Sequence, residues 1–271
     1  MAHVQAGPVL LHYEEVGEGE PLVLVHGSWD DHRVWQSAVE ADLKGSFRVI
    51  VYDRRGHGGS ERVSGQGTRR QDEDDLAALI EALDLAPAHV AGNSFGASIT
   101  VGLVARRPEL FRTVALHEPP LAGLVLDDPA AMAELEPVMR GIEEAVELLR
   151  RGEDAAGAQL FVDKIALGPG AWEAMPAPVR DTLVTYAQTW LDEIQDPDWA
   201  VLDAAALRAC TAPVLLSRGT EGPAWFGTVL DRLATVLPRA QHHTFHGAGH
   251  IPHETHPQDY AAAVTRFVQG W

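Results

Sequence analysis

A chain of 271 residues, 46% of them apolar, is long enough for one large domain or a domain with an insertion, and it can fill a sizeable core. Its formal net charge of −18 repels polyphosphate and anionic lipid, which argues against nucleic acid and membrane surfaces as partners. The single cysteine, Cys210, rules out an internal disulfide framework and is expected as a buried thiol, which suits a reducing, cytoplasmic setting.

The first residues lack a basic region followed by an apolar run, and no apolar stretch reaches the length of a bilayer span, so neither a signal peptide nor a membrane segment is predicted. Residues 10–16 are predicted as a strand closed by Gly17-Glu18-Gly19, and 22–25 as a short, fully apolar strand. A helix over 31–43 and a strand over 47–52 follow. Residues 70–83 form an amphipathic helix whose acidic start, Asp72 to Asp75, reads as a solvated run favoured by the helix dipole. A strand ending at Gly92, a helix over 95–105 and a strand over 113–116 complete an alternation that predicts a parallel sheet with helices on both faces.

The alternation then stops. Residues 121–200 carry helical periods only, with helices expected over 130–151, 154–167 and 179–195. Residues 1–120 and 201–271 therefore read as an α/β core, and 121–200 as a helical cap inserted into it. The core resumes with a strand over 214–217, a helix over 225–237, a strand near 242–245 and a closing helix over 257–268.

Gly92-Asn93-Ser94-Phe95-Gly96 fits Gly-x-Ser-x-Gly between a predicted strand and a predicted helix. In that setting Ser94 is a candidate nucleophile, presented at a helix N-terminus that favours an oxyanion. His26-Gly27-Ser28-Trp29 follows a buried strand, at the sheet edge where ligands collect. With Asp53-Arg54-Arg55-Gly56-His57-Gly58-Gly59-Ser60 and Gly247-Ala248-Gly249-His250, these motifs stand in the order of the α/β-hydrolase family, which the chain resembles over its whole length.

The resemblance implies an α/β-hydrolase fold: a mostly parallel twisted sheet flanked by helices, with a helical cap insertion. It places the catalytic base at His250, and an imidazole titrates near neutral pH, as a base for serine requires. It implies oxyanion donors at the amides of Ser28 and Phe95, with Trp29 as the substitute for Ser28. The triad acid departs from the commoner pattern: Gly222 stands where an aspartate is usual after the 214–217 strand. Glu118, in His117-Glu118-Pro119-Pro120 at the end of the strand before the cap, is the preferred acid, and Glu221 is the alternative. The Glu118 placement resembles zearalenone-hydrolysing lactonases.

Trp29, Tyr186, Trp190 and Trp225 are expected to line an apolar substrate pocket, with Trp172, Trp199 and Phe226 nearby in sequence. Six histidines crowd residues 242–256, yet neither a cysteine nor a helical His-Glu-x-x-His accompanies them, so no metal and no cofactor are expected. The reading is a serine esterase or lactonase with a neutral, largely apolar small-molecule substrate. A perhydrolase or haloperoxidase-like enzyme, a C–C bond hydrolase on the same triad and a non-catalytic binding protein stay open, as does a homodimeric assembly.

Overall fold

The computed structural model describes residues 2–63 and 65–271. Eight strands form one sheet: β1 Ala2–Ala6, β2 Val9–Val16, β3 Pro21–Val25, β4 Arg48–Tyr52, β5 Ala88–Asn93, β6 Phe111–His117, β7 Val214–Gly219 and β8 Ala240–Phe245. Their order is β1-β2-β4-β3-β5-β6-β7-β8. β1 pairs antiparallel with β2, and β2 with β4; the other neighbours run parallel. β5 is buried along its whole length, as a parallel strand covered on both faces must be. The register sets Gly92 beside Leu116 and Leu116 beside Leu216, so the ends of β3, β5, β6 and β7 form one edge.

One face of the sheet is covered by helices Arg69–Ala82, Phe95–Arg106 and Trp225–Ala234, whose Leu76, Ile99 and Val229 pack against Val23, Val90 and Leu116. The other face is covered by residues 32–46 and helix Pro257–Gln269, through Trp35, Leu43, Tyr260 and Val264. Helix Arg69–Ala82 begins at Thr68, whose hydroxyl accepts the Gln71 amide while Gln71 Oε1 accepts the Thr68 amide at 3.1 Å, a reciprocal capping box. Cys210 is buried in the core, where desolvation raises its thiol pKa.

Between β6 and β7 the chain is helical, with helices Pro129–Arg150, Asp154–Leu160, Ala177–Thr185 and Ala187–Gln195 as its main elements. They share a separate apolar cluster containing Ala145, Leu149, Val162, Trp172 and Leu191. Asp128 caps the first of these helices by accepting the Ala130 and Ala131 amides, and Pro129 stands at its first position, where a missing N–H costs nothing.

Four expectations need correction. β1 was not predicted; it is a short edge strand with outward-facing polar residues, and it pairs only with β2. Residues 32–46 are a broken run, a 3₁₀ turn His32–Trp35 and a π turn Val39–Leu43 among single α turns, and not one helix. The segment 179–195 is two helices meeting at Tyr186. The acidic run is not solvated: Asp72, Glu73 and Asp75 are buried. Their partners are Arg54 for Asp72, Arg55 for Asp75, and Arg69 and Arg106 for Glu73. Charges removed from water at this cost require such pairs.

Candidate active site

β5 delivers Ser94 to the sheet edge in a conformation that L-residues avoid, with φ 54° and ψ −124°. The flanking glycines make this turn sterically feasible. A β-carbon on Gly92 would stand 2.6 Å from the Gly96 carbonyl oxygen, and one on Gly96 would stand 2.2 Å from that of Val25. Ser94 N donates to the His117 carbonyl at 2.9 Å, which extends the β5–β6 pairing into the turn. The helix Phe95–Arg106 starts immediately, so Ser94 sits at its N-terminal, positive end. Among the described residues four non-glycine residues have positive φ: Trp29, Asp84, Ser94 and Glu118. Three of them lie at this one edge of the sheet.

β3 ends in His26-Gly27 beside Ser94; a β-carbon on Gly27 would stand 3.2 Å from that of Ser94. His26 is fully buried, and desolvation together with the Arg54 charge lowers its pKa to about 3. The neutral ring has one tautomer available to it: Nδ1 donates to the Gly27 carbonyl at 2.9 Å, and Nε2 accepts the Arg54 amide at 3.0 Å. Neither the Ser28 nor the Phe95 amide has an acceptor among the described residues, and both residues line the same cavity as Ser94.

His250 follows β8 and also lines that cavity. Its Nδ1 is 2.7 Å from Glu118 Oε2, while Glu118 Oε1 accepts the Gly219 amide at 2.8 Å. Glu118 is fully buried. Burial alone would raise its carboxyl, but the hydrogen bond and charge of His250, the charge of His117 and the Gly219 amide outweigh it and hold the group below the ordinary carboxylate range. An ionised Glu118 only accepts, so Nδ1 of His250 carries the proton and Nε2 is left to accept one. His117, next in the chain, is buried and its pKa is lowered to about 4, chiefly by desolvation. Asn93 donates from Nδ2 to the His250 carbonyl at 2.8 Å, which ties the histidine loop to the serine turn. Glu221 is exposed, and its carboxylate accepts the Thr220 hydroxyl at 3.3 Å.

The cavity holds about 90 Å³. Its polar lining is Ser28, Ser94, Glu193 and His250; the rest is apolar, including Leu135, Ile142, Phe161, Trp190, Trp199 and Trp225. Trp225 stacks on Phe226 at 3.9 Å, and Phe226 stacks on His250 at 5.2 Å, which fixes the plane of the imidazole. Trp190 and Trp225 line the cavity; Trp29 and Tyr186, expected beside them, do not. Positive φ at Trp29 accompanies a ring set in the helical segment, stacked on Phe161 at 4.9 Å and tilted against Trp190 at 5.1 Å. Tyr186 instead bridges the two parts of the chain: its hydroxyl donates to Asp31 and accepts the Gly58 amide, each at 2.9 Å.

Sequence reasoning missed Glu193. It reaches the cavity from helix Ala187–Gln195, is buried, accepts the Ser28 hydroxyl at 2.5 Å and pairs with Arg54. No local signal marks it, because its partner lies 139 residues away.

The alpha/beta hydrolase family model matches residues 22–263. The chain belongs to the alpha/beta hydrolase family. The chain is similar to an alpha/beta hydrolase from Sphaerobacter thermophilus DSM 20745, with TM-score 0.78 and 26% identity over 98% of this chain and 99% of that one. It is 26% identical to the zearalenone hydrolase of Bionectria ochroleuca over 95% of this chain and 93% of that protein. A stronger but shorter likeness, 37% over 105 residues, links it to (E)-2-((N-methylformamido)methylene)succinate hydrolase of Acinetobacter baylyi, and the matched stretch spans only 40% of that relative.

Elsewhere in the chain, the C-terminal histidines disperse. His242 and His243 lie on β8, and His253 is buried with its ring 4.4 Å from that of Trp35. One trio among the described residues comes close enough to share a metal ion: His12, His32 and Asp53. Asp53 there accepts His12 Nδ1 at 2.8 Å, His32 Nδ1 at 2.7 Å, His32 N at 2.9 Å and Gly59 N at 2.8 Å. Four donors use the lone pairs of the Asp53 carboxylate, which clips His12, His32 and Gly59 together. No helix among the described residues is long and apolar enough to cross a membrane.

Proposed function

We propose that this hydrolase cleaves a carboxylic ester or lactone of a neutral, largely apolar small molecule, with Ser94 as nucleophile, His250 as base and Glu118 as triad acid. The observation that carries this reading is the 2.7 Å contact between His250 Nδ1 and Glu118 Oε2, in a histidine that shares one apolar cavity with Ser94. Residues 121–200 act as a cap that supplies part of that cavity's wall, through Leu135, Phe161 and Trp190.

In the first half-reaction Ser94 Oγ attacks the acyl carbon while His250 Nε2 takes its proton. Glu118, ionised and fixed by the Gly219 amide, stabilises the imidazolium that forms. The carbonyl oxygen becomes an oxyanion facing the Ser28 and Phe95 amides, which have no competing acceptor among the described residues, the second of them at a helix N-terminus. His250 then protonates the leaving alkoxide, giving an alcohol and an acyl-Ser94 ester. Water, deprotonated by His250, attacks that ester, and its collapse returns the proton to Ser94 and releases the acid. In a lactone, alcohol and acid stay on one molecule.

The substrate class follows from the cavity. Among the described residues its only carboxylate, Glu193, already holds Arg54, and no cation other than a protonated His250 faces an incoming substrate. A carboxylated substrate would be desolvated there without a partner, at a cost of several kcal/mol. A volume of about 90 Å³ favours a compact acyl group or lactone ring; for scale, a dry protein cavity of about 150 Å³ binds benzene. The test is hydrolysis of neutral esters of rising acyl length, simple lactones and half-esters of dicarboxylic acids, with Ser94→Ala as control. The expected result is turnover of short neutral esters or lactones, none of half-esters and none by Ser94→Ala. Turnover confined to half-esters would refute the substrate class.

A further inference from the structure

The Gly27–Ser28 peptide is held from behind. Its carbonyl accepts two donors, His26 Nδ1 at 2.9 Å and Arg54 Nη2 at 3.0 Å. A trans peptide is planar, with its N–H antiparallel to its C=O. Two donors on the carbonyl therefore turn the Ser28 N–H to the opposite side and fix it there. The Ser28 side chain is held as well, since its hydroxyl donates to Glu193 Oε2 at 2.5 Å.

One guanidinium joins these restraints. Arg54 Nη2 reaches both the Gly27 carbonyl and Glu193 Oε1, Nη1 reaches Asp72 Oδ2 at 3.3 Å, and the guanidinium carbon lies 5.2 Å from the centre of the Phe95 ring. Arg54 thus reaches both the Gly27–Ser28 peptide and the Phe95 ring, and it is almost wholly buried. Its planar fork can hold a carbonyl and a carboxylate at fixed angles together, which a single ammonium cannot. The carboxylate belongs to helix Ala187–Gln195, so the orientation of the amide depends on the helical segment being docked.

On the reading that the Ser28 and Phe95 amides receive the oxyanion, we propose that the buried Arg54–Glu193 pair is the positioning device for the Ser28 amide and couples docking of the helical segment to transition-state stabilisation. Neither residue touches the reacting atoms. The charge and the hydrogen bonds act on the peptide whose far side faces the developing negative charge. Such an interaction matters more in the transition state than in the bound substrate, so its loss appears in kcat more than in KM.

The test uses the full chain with p-nitrophenyl butyrate as substrate and an alkylboronic acid as a probe that forms a tetrahedral adduct on Ser94. Wild type, Glu193→Gln and the charge-neutral Arg54→Met/Glu193→Gln double variant are compared, with melting temperature recorded for each. Loss of a whole oxyanion donor costs about 10²–10³-fold in kcat, so loosening one is expected to cost about 10-fold in Glu193→Gln and more in the double variant. KM should stay within about 3-fold, and the boronate inhibition constant should rise by the same factor as kcat falls. A merely structural pair would lower the melting temperature while kcat and boronate affinity stay within about 2-fold of wild type, or would shift KM alone; either result overturns the proposal. Should the double variant fail to fold, Glu193→Gln decides. A wild type that neither turns over esters nor binds the boronate removes the hydrolase reading and this proposal with it. An active wild type with unaffected variants removes the proposal alone.

Discussion

A β-carbon built on Gly222 would stand 3.0 Å from Oε1 of Glu118. Gly222 occupies the chain position where an aspartate is usual, after β7, and Glu118 sits at the end of the preceding strand, β6. The two positions nonetheless converge on one spot beside His250. Glu118 fills that spot from β6, and the segment after β7 gives way by carrying no side chain. The absence of an acid at Gly222 and its presence at Glu118 are thus one packing arrangement.

This convergence makes the acid exchangeable. Glu118→Gln is expected to lower kcat by about 10⁴-fold with the fold intact, as loss of the triad carboxylate does where the tautomer is no longer enforced. Glu118→Ala should be comparably slow, and adding Gly222→Asp to it should recover at least about 10-fold in kcat/KM, a gain of about 1.4 kcal/mol in transition-state stabilisation. Gly222→Asp alone should impair the enzyme, because two carboxylates would share one small site. Ester hydrolysis by the four proteins checks this; no recovery in the double variant would count against the shared-site account.

Trp29 belongs to packing and not to substrate contact. Trp29→Ala is expected to lose about 3–5 kcal/mol in chemical denaturation, the range for emptying a buried aromatic site. Trp29→Phe should retain most of the stability and a near-normal KM for short esters. A large KM effect in the folded Trp29→Phe protein would return the residue to the pocket wall.

Asp72 gives a pH signature. Desolvation raises its pKa to about 7, above the unfolded value, with Arg54 only partly compensating. A raised folded-state pKa stabilises the protein below the unfolded pKa, and this contribution is lost as pH rises to about 7. Asp72→Asn, neutral at every pH, should therefore gain stability relative to wild type between about pH 4 and pH 7. Melting curves across that range check it; a difference that runs the other way would mean that Arg54 keeps Asp72 ionised.

The cavity wall sets acyl length. Leu135 is buried and lines the cavity on the helical side. Leu135→Ala is expected to shift preference toward longer acyl chains by about 10-fold in relative kcat/KM, since one or two methylenes of fit are worth about 1–3 kcal/mol. An acyl-chain series on both proteins measures the shift.

Much of this was legible in the sequence where the signal is local. β3 is a continuous apolar run, and Gly92-Asn93-Ser94-Phe95-Gly96 carries its own steric logic, so the sheet centre and the serine turn could be placed without coordinates. What stayed hidden depends on distant partners. The acidic run 72–75 has the composition of a solvated helix start, and only the arrival of Arg54, Arg55 and Arg106 buries it. Trp29 was misjudged because the rings it packs against, Phe161 and Trp190, lie far along the chain in the helical segment. Tyr186 lies at the joint of two helices whose periods merge in sequence. Glu193 is one acid among many until the fold sets it beside Ser28 and Arg54.

The central claim is that Ser94 is the nucleophile, and a fluorophosphonate tests it without knowledge of the natural substrate. The folded protein, treated with the reagent, digested and analysed by mass spectrometry, should carry one stoichiometric adduct on Ser94; labelling should vanish in Ser94→Ala and slow sharply in Glu118→Gln. An unlabelled Ser94 in folded protein, or ester turnover that survives Ser94→Ala, would contradict the account.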